Sequence, residues 1–171
     1  MRDTVTSLIS SYDRTGRYLD RNAIDALRAY FTTGADRIKV AAMISANAVE
    51  LSREASKQLF EEVPELLRPS ETANAYTTRR YEACLRDMDY YLRYCSYALL
   101  TGNNDILGER LLQGLRETYN ALGVPIAPTV QGIQIMKEMV KEKASDAGID
   151  DTSFVDQPFD CICREVSEVN V

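Results

Sequence analysis

Five side chains that could do chemistry share one face of a single predicted helix, within residues 76–100. They lie at positions i, i+4, i+7, i+11 and i+14, and they are Arg80, Cys84, Asp87, Tyr91 and Tyr94. Further arginines recur every seven residues on the adjoining stripe, at Arg79, Arg86 and Arg93. A thiol, a carboxylate, guanidinium groups and phenol rings are costly to bury together without a binding partner. This stripe is therefore the strongest candidate for a functional site.

The chemistry of the stripe suits a flat, acidic ligand that is attached covalently. A thiol near arginines is expected to ionise more readily than a free cysteine, which makes Cys84 a candidate nucleophile. Arginines bind carboxylates with two parallel hydrogen bonds, and Asp87, one turn from the sulfur, can accept N–H donors. In a plainer interpretation the cysteine and the tyrosines are core side chains and the charges form a solvated, salt-bridged face. The residue types alone leave both interpretations open.

The composition excludes several other classes of function. The chain of 171 residues contains no histidine, which removes the usual haem ligand, the common zinc ligand and the Ser-His and Cys-His catalytic pairs. A net charge of −6 argues against direct binding of nucleic acid or of an anionic membrane. No segment reaches eighteen apolar residues and the first residues do not read as a signal peptide, so we expect an intracellular protein without membrane insertion.

The four cysteines do not form an evident disulfide or metal site. Cys84 and Cys95 lie eleven residues apart on one predicted helix, which separates them by roughly 16 Å and prevents a disulfide. Cys161 and Cys163 are two residues apart, so on a helix they point in different directions. We expect Cys95, Cys161 and Cys163 to be buried core thiols.

The hydrophobic pattern is helical throughout, and no run alternates over the length of a strand. Residues 1–33 are predicted to form a helical hairpin, whose second helix is capped by Asp20 and followed by Gly34. This hairpin is too small to hide its own apolar face. It should therefore dock on the main body or on another chain.

Residues 34–171 are predicted to form one all-α unit. A long helical pattern over residues 35–63 is expected to bend or break near Ser45–Asn47 and to end at Pro64. The central helix should stop near Thr101-Gly102. A stripe of apolar residues from Leu107 to Leu122 predicts the next helix, Pro128 is well placed to begin another, and a last helix follows near residue 158.

Two long runs resemble a known family. The sequence YTTRRYEACLRDMDYYLRY, residues 76–94, resembles the chromophore-binding helix of phycobiliprotein β subunits, the light-harvesting proteins of cyanobacteria and red algae. The run LRETYNALGVP, residues 115–125, matches the same family, and the resemblance covers nearly the whole chain. It implies a globin-like helical domain preceded by a helical hairpin that meets a partner subunit.

The resemblance also implies a role for each candidate residue. Cys84 would form a thioether to one phycocyanobilin, an open-chain tetrapyrrole, and Asp87 would accept hydrogen bonds from its pyrrole N–H groups. The two propionates of the pigment would be bound by arginines, and tyrosines would wall the pocket: Arg79, Arg80 and Arg86 for the propionates, and Tyr90, Tyr91 and Tyr119 for the wall. The loop DDTSFVDQP lacks a second attachment cysteine, so a single pigment is expected.

Asn74 matches a position that carries N4-methylasparagine in many β subunits. The loop before it, Ser70-Glu71-Thr72-Ala73, is longer than the turn usual in the family and contains no glycine. An ordinary turn asparagine is the alternative for Asn74.

The single attachment site resembles the allophycocyanin type, and the long C-terminal segment resembles a minor β-like variant at the ends of the phycobilisome core. This implies an allophycocyanin α-type partner, rings of three αβ pairs, contacts with core linker and core-membrane linker proteins, and a bilin lyase during maturation. The location would be peripheral, at the cytoplasmic or stromal face of the thylakoid membrane. No enzymatic activity is expected. A structural subunit without pigment and a bilin-based photosensor are the competing interpretations.

Overall fold

The computed structural model describes residues 2–69 and 77–167, and every regular element within these ranges is helical. The α-helices are α1 (Thr4–Arg14), α2 (Arg21–Thr32), α3 (Gly34–Glu62), α4 (Thr78–Thr101), α5 (Asp105–Leu107), α6 (Leu115–Leu122), α7 (Ile126–Asp146) and α8 (Asp156–Ser167). Short 3₁₀ turns cover Pro64–Leu67 and Ser153–Val155, and a π-helical turn covers Gly108–Leu112. The prediction of an all-α fold is confirmed.

Side-chain caps begin the helices of the hairpin. The Asp3 carboxylate accepts a hydrogen bond from the Thr6 amide at 2.7 Å, and the Asp20 carboxylate accepts one from the Ala23 amide at 3.0 Å. Each bond satisfies an amide that has no partner within the first turn of its helix. Asp20 therefore has the capping role that the sequence predicts.

The hairpin is fastened to the C-terminal end of α4 mainly by polar contacts. The Thr4 hydroxyl donates to the Gly102 carbonyl at 2.8 Å, and the Asn103 side chain donates to the Arg2 carbonyl at 3.0 Å. None of the residues of α1 is buried, and in α2 only Ala23 is. Much of the apolar surface of the hairpin therefore remains exposed.

Helix α3 runs without interruption from Gly34 to Glu62, so the helix does not break near Ser45–Asn47. The Asn47 side chain donates to the Met43 carbonyl of its own helix at 2.8 Å, which leaves the backbone helical. The buried stripe of Ile44 and Leu51 continues across the polar stretch. Burial of this stripe overrides the weak helix propensity of the residues between. As predicted, Pro64 follows the end of the helix.

The core lies where α3 packs against α4 and α7, and where α7 packs against α8. Gly132 of α7 permits one close approach, because a Cβ atom there would lie 2.2 Å from the Cε atom of Met88 on α4 and 3.1 Å from a methyl group of Leu59 on α3. The absence of a side chain lets α7 lie close to both helices. This packing fixes the position of the first half of α4.

The apolar stripe between Leu107 and Leu122 does not form the single helix that we predicted. It is divided among α5, the π-helical turn and α6, and Gly114 breaks it with a backbone φ of +75°. Leu122 is exposed, whereas Tyr119 is buried. A glycine at positive φ ends the helical geometry regardless of apolar spacing.

Helix α7 begins at Ile126, two residues before the predicted start at Pro128. Pro128 lies in the first turn, where backbone amides have no partner within the helix, so its missing N–H group costs little. The C-terminal end of α4 is as predicted, since Gly102 caps the helix with a φ of +68°.

Candidate functional site

Helix α4 brings Cys84, Asp87 and Tyr91 onto one face, as their spacing predicts. The Thr77 hydroxyl accepts a hydrogen bond from the Arg80 amide at 3.3 Å and caps the first turn. Cys84 is half-buried, the Asp87 side chain is 27% exposed, and Tyr91 is almost fully buried. The face therefore passes from solvent to core within two helical turns.

Asp87 is the centre of the polar contacts on this face. Its Oδ1 atom accepts hydrogen bonds from the Arg86 guanidinium, at 3.1 Å from Nη2 and 3.3 Å from Nε. Its Oδ2 atom accepts one from the hydroxyl of Tyr119 on α6 at 3.0 Å. The Tyr119 hydroxyl is also hydrogen-bonded to that of Tyr91. Asp87 thus lies between a solvent-exposed cation and two buried phenols.

The expectation that Cys84 ionises readily is wrong for the chain without a ligand. Burial, together with the negative charge of Asp87, raises the pKa of the Cys84 thiol from 9.0 to about 11. The nearby Arg86 side chain is 60% exposed and is directed to Asp87, so its charge is screened by solvent. Desolvation and a carboxylate therefore outweigh the arginines, and the thiol is protonated at neutral pH.

The two phenols of the site are also held in their protonated form. Burial raises the pKa of Tyr91 well above its usual range. The pKa of Tyr119 is raised as well, mainly by burial and secondly by its interaction with Tyr91. Both hydroxyl groups therefore act as hydrogen-bond donors at physiological pH.

The other arginines and the tyrosine predicted for the site lie at the protein surface. Arg79, Arg80 and Tyr90 are exposed. The guanidinium of Arg93 lies over the Tyr90 ring, 4.8 Å from its centroid, and holds the ring on the outer side of α4. Tyr90 therefore lies outside the buried hydrogen bonds that join Tyr91, Tyr119 and Asp87. Asn74 lies outside the described residues.

The other three cysteines have different surroundings. Cys95 is fully buried, and Cys161 and Cys163 are buried on α8, as predicted. All four cysteines are free thiols. Cys163 accepts a hydrogen bond from the Gln134 side chain at 3.1 Å. Among the described residues, no group of histidine, cysteine, aspartate or glutamate side chains could hold a metal ion.

Sequence reasoning missed Arg37, a buried arginine at the junction of the hairpin and α4. Its Nη1 atom donates to the Leu99 carbonyl at 3.0 Å, its Nη2 atom donates to the Tyr30 carbonyl, and the guanidinium lies 4.0 Å from the centroid of the Tyr30 ring. A signal was present, because Arg37 falls on the same helical stripe as the buried Val40, Ala41 and Ile44.

Comparison with known proteins gives the family. The phycobilisome protein family matches residues 7–166. The chain is 63% identical over 171 residues to the allophycocyanin subunit beta-18 of Synechocystis and 62% identical over 171 residues to that of Nostoc, and each match covers all of both chains. It is 49% identical to the same subunit of the red alga Pyropia yezoensis over 168 residues, which cover 98% of both chains.

A solved structure agrees with this result. It is a far-red fluorescent biliprotein derived from an allophycocyanin F subunit of Chroococcidiopsis thermalis, 51% identical to this chain. The superposition has a TM-score of 0.74 and covers 80% of this chain and 99% of the biliprotein.

The family match and the related biliprotein structure identify a phycobiliprotein, and the globin-like fold expected from the resemblance is confirmed. The chain belongs to the phycobilisome protein family, with full-length similarity to the beta-18 type of allophycocyanin subunit.

Proposed function

We propose that the chain is a light-harvesting subunit of the phycobilisome core, of the allophycocyanin β type, and that it carries one covalent phycocyanobilin on Cys84. The observation that carries the proposal is the placement of Cys84 and Asp87 one turn apart on a face that opens to solvent and is floored by Tyr91 and Tyr119. A linear tetrapyrrole has groups that match this set of donors and acceptors.

Each residue has a part in holding such a pigment. The Cys84 sulfur would hold the pigment through a thioether, and the Asp87 carboxylate would accept hydrogen bonds from its pyrrole N–H groups. Arginines at the rim bind the two propionates with paired hydrogen bonds. Tyrosine rings pack against the π-system. The arginines are Arg79, Arg80 and Arg86, and the tyrosines are Tyr90 at the rim with Tyr91 and Tyr119 at the floor.

The bound pigment supplies absorption of visible light, and the residues of the chain supply restraint. Attachment at sulfur, carboxylate and guanidinium groups fixes an extended molecule at several points, which slows the loss of excitation by internal twisting. Asp87 in its ionised form also favours a positively charged pigment. No substrate bond changes in this role, so the chain acts as a pigment carrier and not as an enzyme.

The state of the Cys84 thiol supports assisted attachment. The thiolate is the nucleophilic form of cysteine, and burial beside Asp87 raises the pKa of Cys84 to about 11. The thioether would therefore form slowly at neutral pH without help. This supports the participation of a bilin lyase, which would activate the thiol during maturation.

An exposed apolar surface at the hairpin supports a partner subunit. Phe31 is 67% exposed and Ile38 is 61% exposed, beside a shallow groove that Leu100 also lines. Large exposed apolar patches on soluble domains mark interaction sites. We assign this surface to an allophycocyanin α-type subunit, with three αβ pairs forming a ring that contacts the core linker and core-membrane linker proteins.

The proposed location is peripheral, at the cytoplasmic or stromal face of the thylakoid membrane. Among the described residues, none of the helices has the length and apolar character needed to cross a bilayer. We assign contact with the membrane to the linker proteins.

The test is co-expression of the chain with an allophycocyanin α-type subunit, a bilin lyase and the enzymes that make phycocyanobilin. We expect one bilin on the denatured β-type chain, seen by zinc-induced fluorescence and mass spectrometry, and an αβ pair on gel filtration. Cys84→Ala should abolish the pigment, and Cys161→Ala is the matched control that should retain it. A wild-type chain without pigment would contradict the light-harvesting role, and pigment on Cys84→Ala would contradict the attachment site.

A further inference from the structure

Three side chains form an ordered chain of hydrogen bonds from the core to the site. The Tyr91 hydroxyl is bonded to the Tyr119 hydroxyl, and the Tyr119 hydroxyl is 3.0 Å from the Oδ2 atom of Asp87. Tyr91 and Asp87 are one turn apart on α4, whereas Tyr119 comes from α6. Tyr119 is also the one buried residue of α6. The chain of bonds therefore joins a short peripheral helix to the site.

Counting protons fixes the direction of these bonds. An ionised carboxylate can only accept hydrogen bonds, and a phenol carries one proton. Tyr119 must therefore donate its proton to Asp87, and its oxygen must accept the proton of Tyr91. Because burial keeps Tyr91 and Tyr119 protonated, this direction persists at physiological pH.

We propose that Tyr91 is a positioning residue: its hydroxyl donates to the Tyr119 oxygen, orients that phenol and strengthens its hydrogen bond to Asp87. The carboxylate is thereby held from the core side before a ligand is present. Oδ2 is then engaged towards the core, and Oδ1, which contacts the half-exposed Arg86, faces the open side of the site. Oδ1 can therefore accept a hydrogen bond from another donor in place of Arg86, while Oδ2 keeps its bond to Tyr119. This inference deepens the proposed function and depends on it only for the identity of that donor.

The location of Tyr91 suits this role better than a contact with the ligand alone. Its side chain is only 2% exposed, so packing fixes its orientation. A buried phenol without a partner is costly, and the bond to Tyr119 removes that cost. The titratable groups around Tyr91 are Asp87 and Cys84 on its own helix, Tyr119 on α6 and Cys163 on α8.

The thiol of Cys84 provides a readout that needs no pigment. Asp87 disfavours the Cys84 thiolate, so a carboxylate that is released from Tyr119 and turns towards solvent should make the thiolate easier to form. The experiment measures the rate of Cys84 alkylation by iodoacetamide between pH 7.5 and 10.5, residue by residue with mass spectrometry, on the full-length chain expressed without pigment.

We expect Tyr91→Phe to raise the alkylation rate at pH 9 about threefold, because the thiolate fraction sets the rate. Tyr119→Phe should raise it more, since it removes the bond to Asp87 directly. The double variant should match Tyr119→Phe, because Tyr91 acts only through Tyr119. Tyr97→Phe, at an exposed position on the same helix, is the matched control and should follow the wild type.

Additive effects in the double variant would indicate two separate packing losses and would overturn the inference, as would an unchanged rate in a folded Tyr91→Phe chain. If Tyr91→Phe does not fold, Tyr119→Phe decides, and an unchanged rate in that variant overturns the inference. In the pigment-loaded chain, Tyr91→Phe should also broaden the visible absorption band, and Tyr97→Phe should not. The alkylation experiment uses the chain without pigment. Its outcome therefore tests the positioning role of Tyr91 independently of the proposed light-harvesting function.

Discussion

Two cysteines of the same helix have opposite surroundings. Cys84 lies in the first half of α4, half-buried, with a carboxylate one turn away. Cys95, three turns later, is fully buried in the core formed by α3, α4, α7 and α8. Burial is the main cause of a raised pKa for both thiols. The second cause is the Asp87 carboxylate for Cys84 and the neighbouring thiols of Cys163 and Cys161 for Cys95.

The difference shows that attachment chemistry on this helix is determined by access and by neighbouring polar groups. A thiol that is sealed by packing cannot meet a ligand whatever its intrinsic reactivity. Cys84 is accessible, but it needs activation because it is protonated. Cys84 is thus placed for binding, whereas Cys95 is placed to stabilise the core.

Chemical labelling should show the largest contrast between the two thiols. In the folded chain without pigment, Cys84 should react with iodoacetamide at least ~100 times faster than Cys95, which is exposed only by global unfolding. Cys84 should itself react about 100 times more slowly at pH 8 than an unperturbed cysteine, because its thiolate is scarce. Mass spectrometry of timed samples gives both rates, with a urea-unfolded sample as the control. Comparable rates for the two residues would contradict the burial of Cys95.

Replacement of each thiol by a hydroxyl should give a smaller but clear contrast in stability. Cys95→Ser buries a polar group in an apolar core and should lower the free energy of unfolding by about 1–2 kcal/mol. The loss is limited because a helical serine can bond to a carbonyl of the preceding turn. Cys84→Ser should change stability by less than about 0.5 kcal/mol, since its site is half-exposed. Urea unfolding followed by circular dichroism measures both, and equal losses would show that Cys84 also belongs to the core.

The sequence was sufficient to predict the face of α4, because helical spacing alone puts Cys84, Asp87 and Tyr91 together. It was also sufficient for the burial of Cys95, which falls on an apolar stripe. The sequence was not sufficient to predict the protonation state of Cys84. Spacing places arginines near the sulfur, but it cannot show that Arg86 is directed to Asp87 and to solvent. Proximity along a helix was mistaken for electrostatic influence.

Contacts between distant segments were the other limit. The bond between Tyr91 and Tyr119 joins residues 28 positions apart, and only the family resemblance suggested that both belong to the site. The continuity of α3 was missed for a related reason, since local propensity predicted a bend or break at Ser45–Asn47. The helix packs against α4 and α7 and is unbroken there. Local periodicity was enough to predict that the segments are helical, whereas tertiary packing determines where each helix begins, continues and ends.

Alkaline pH should produce the smallest effect. The pKa of Cys84 is raised in the folded chain from 9.0 to about 11, so above pH 9 the unfolded chain loses this proton while the folded chain keeps it. The unfolded state then binds fewer protons, and stability falls as pH rises from about 9 to 11. The contribution of Cys84 to the free energy of unfolding is complete below pH 9 and is on the order of 1 kcal/mol smaller at pH 10.

Urea unfolding at pH 7, 9 and 10 under reducing conditions tests this expectation. Between pH 7 and pH 10, Cys84→Ser should lose less free energy of unfolding than the wild type. Measurements up to pH 10 limit the contribution of the tyrosines, whose raised pKa values act at higher pH. Identical losses for the two chains would mean that Asp87 and burial do not disfavour the Cys84 thiolate, and the distinction between a reactive and an inert thiol on α4 would then depend on access alone.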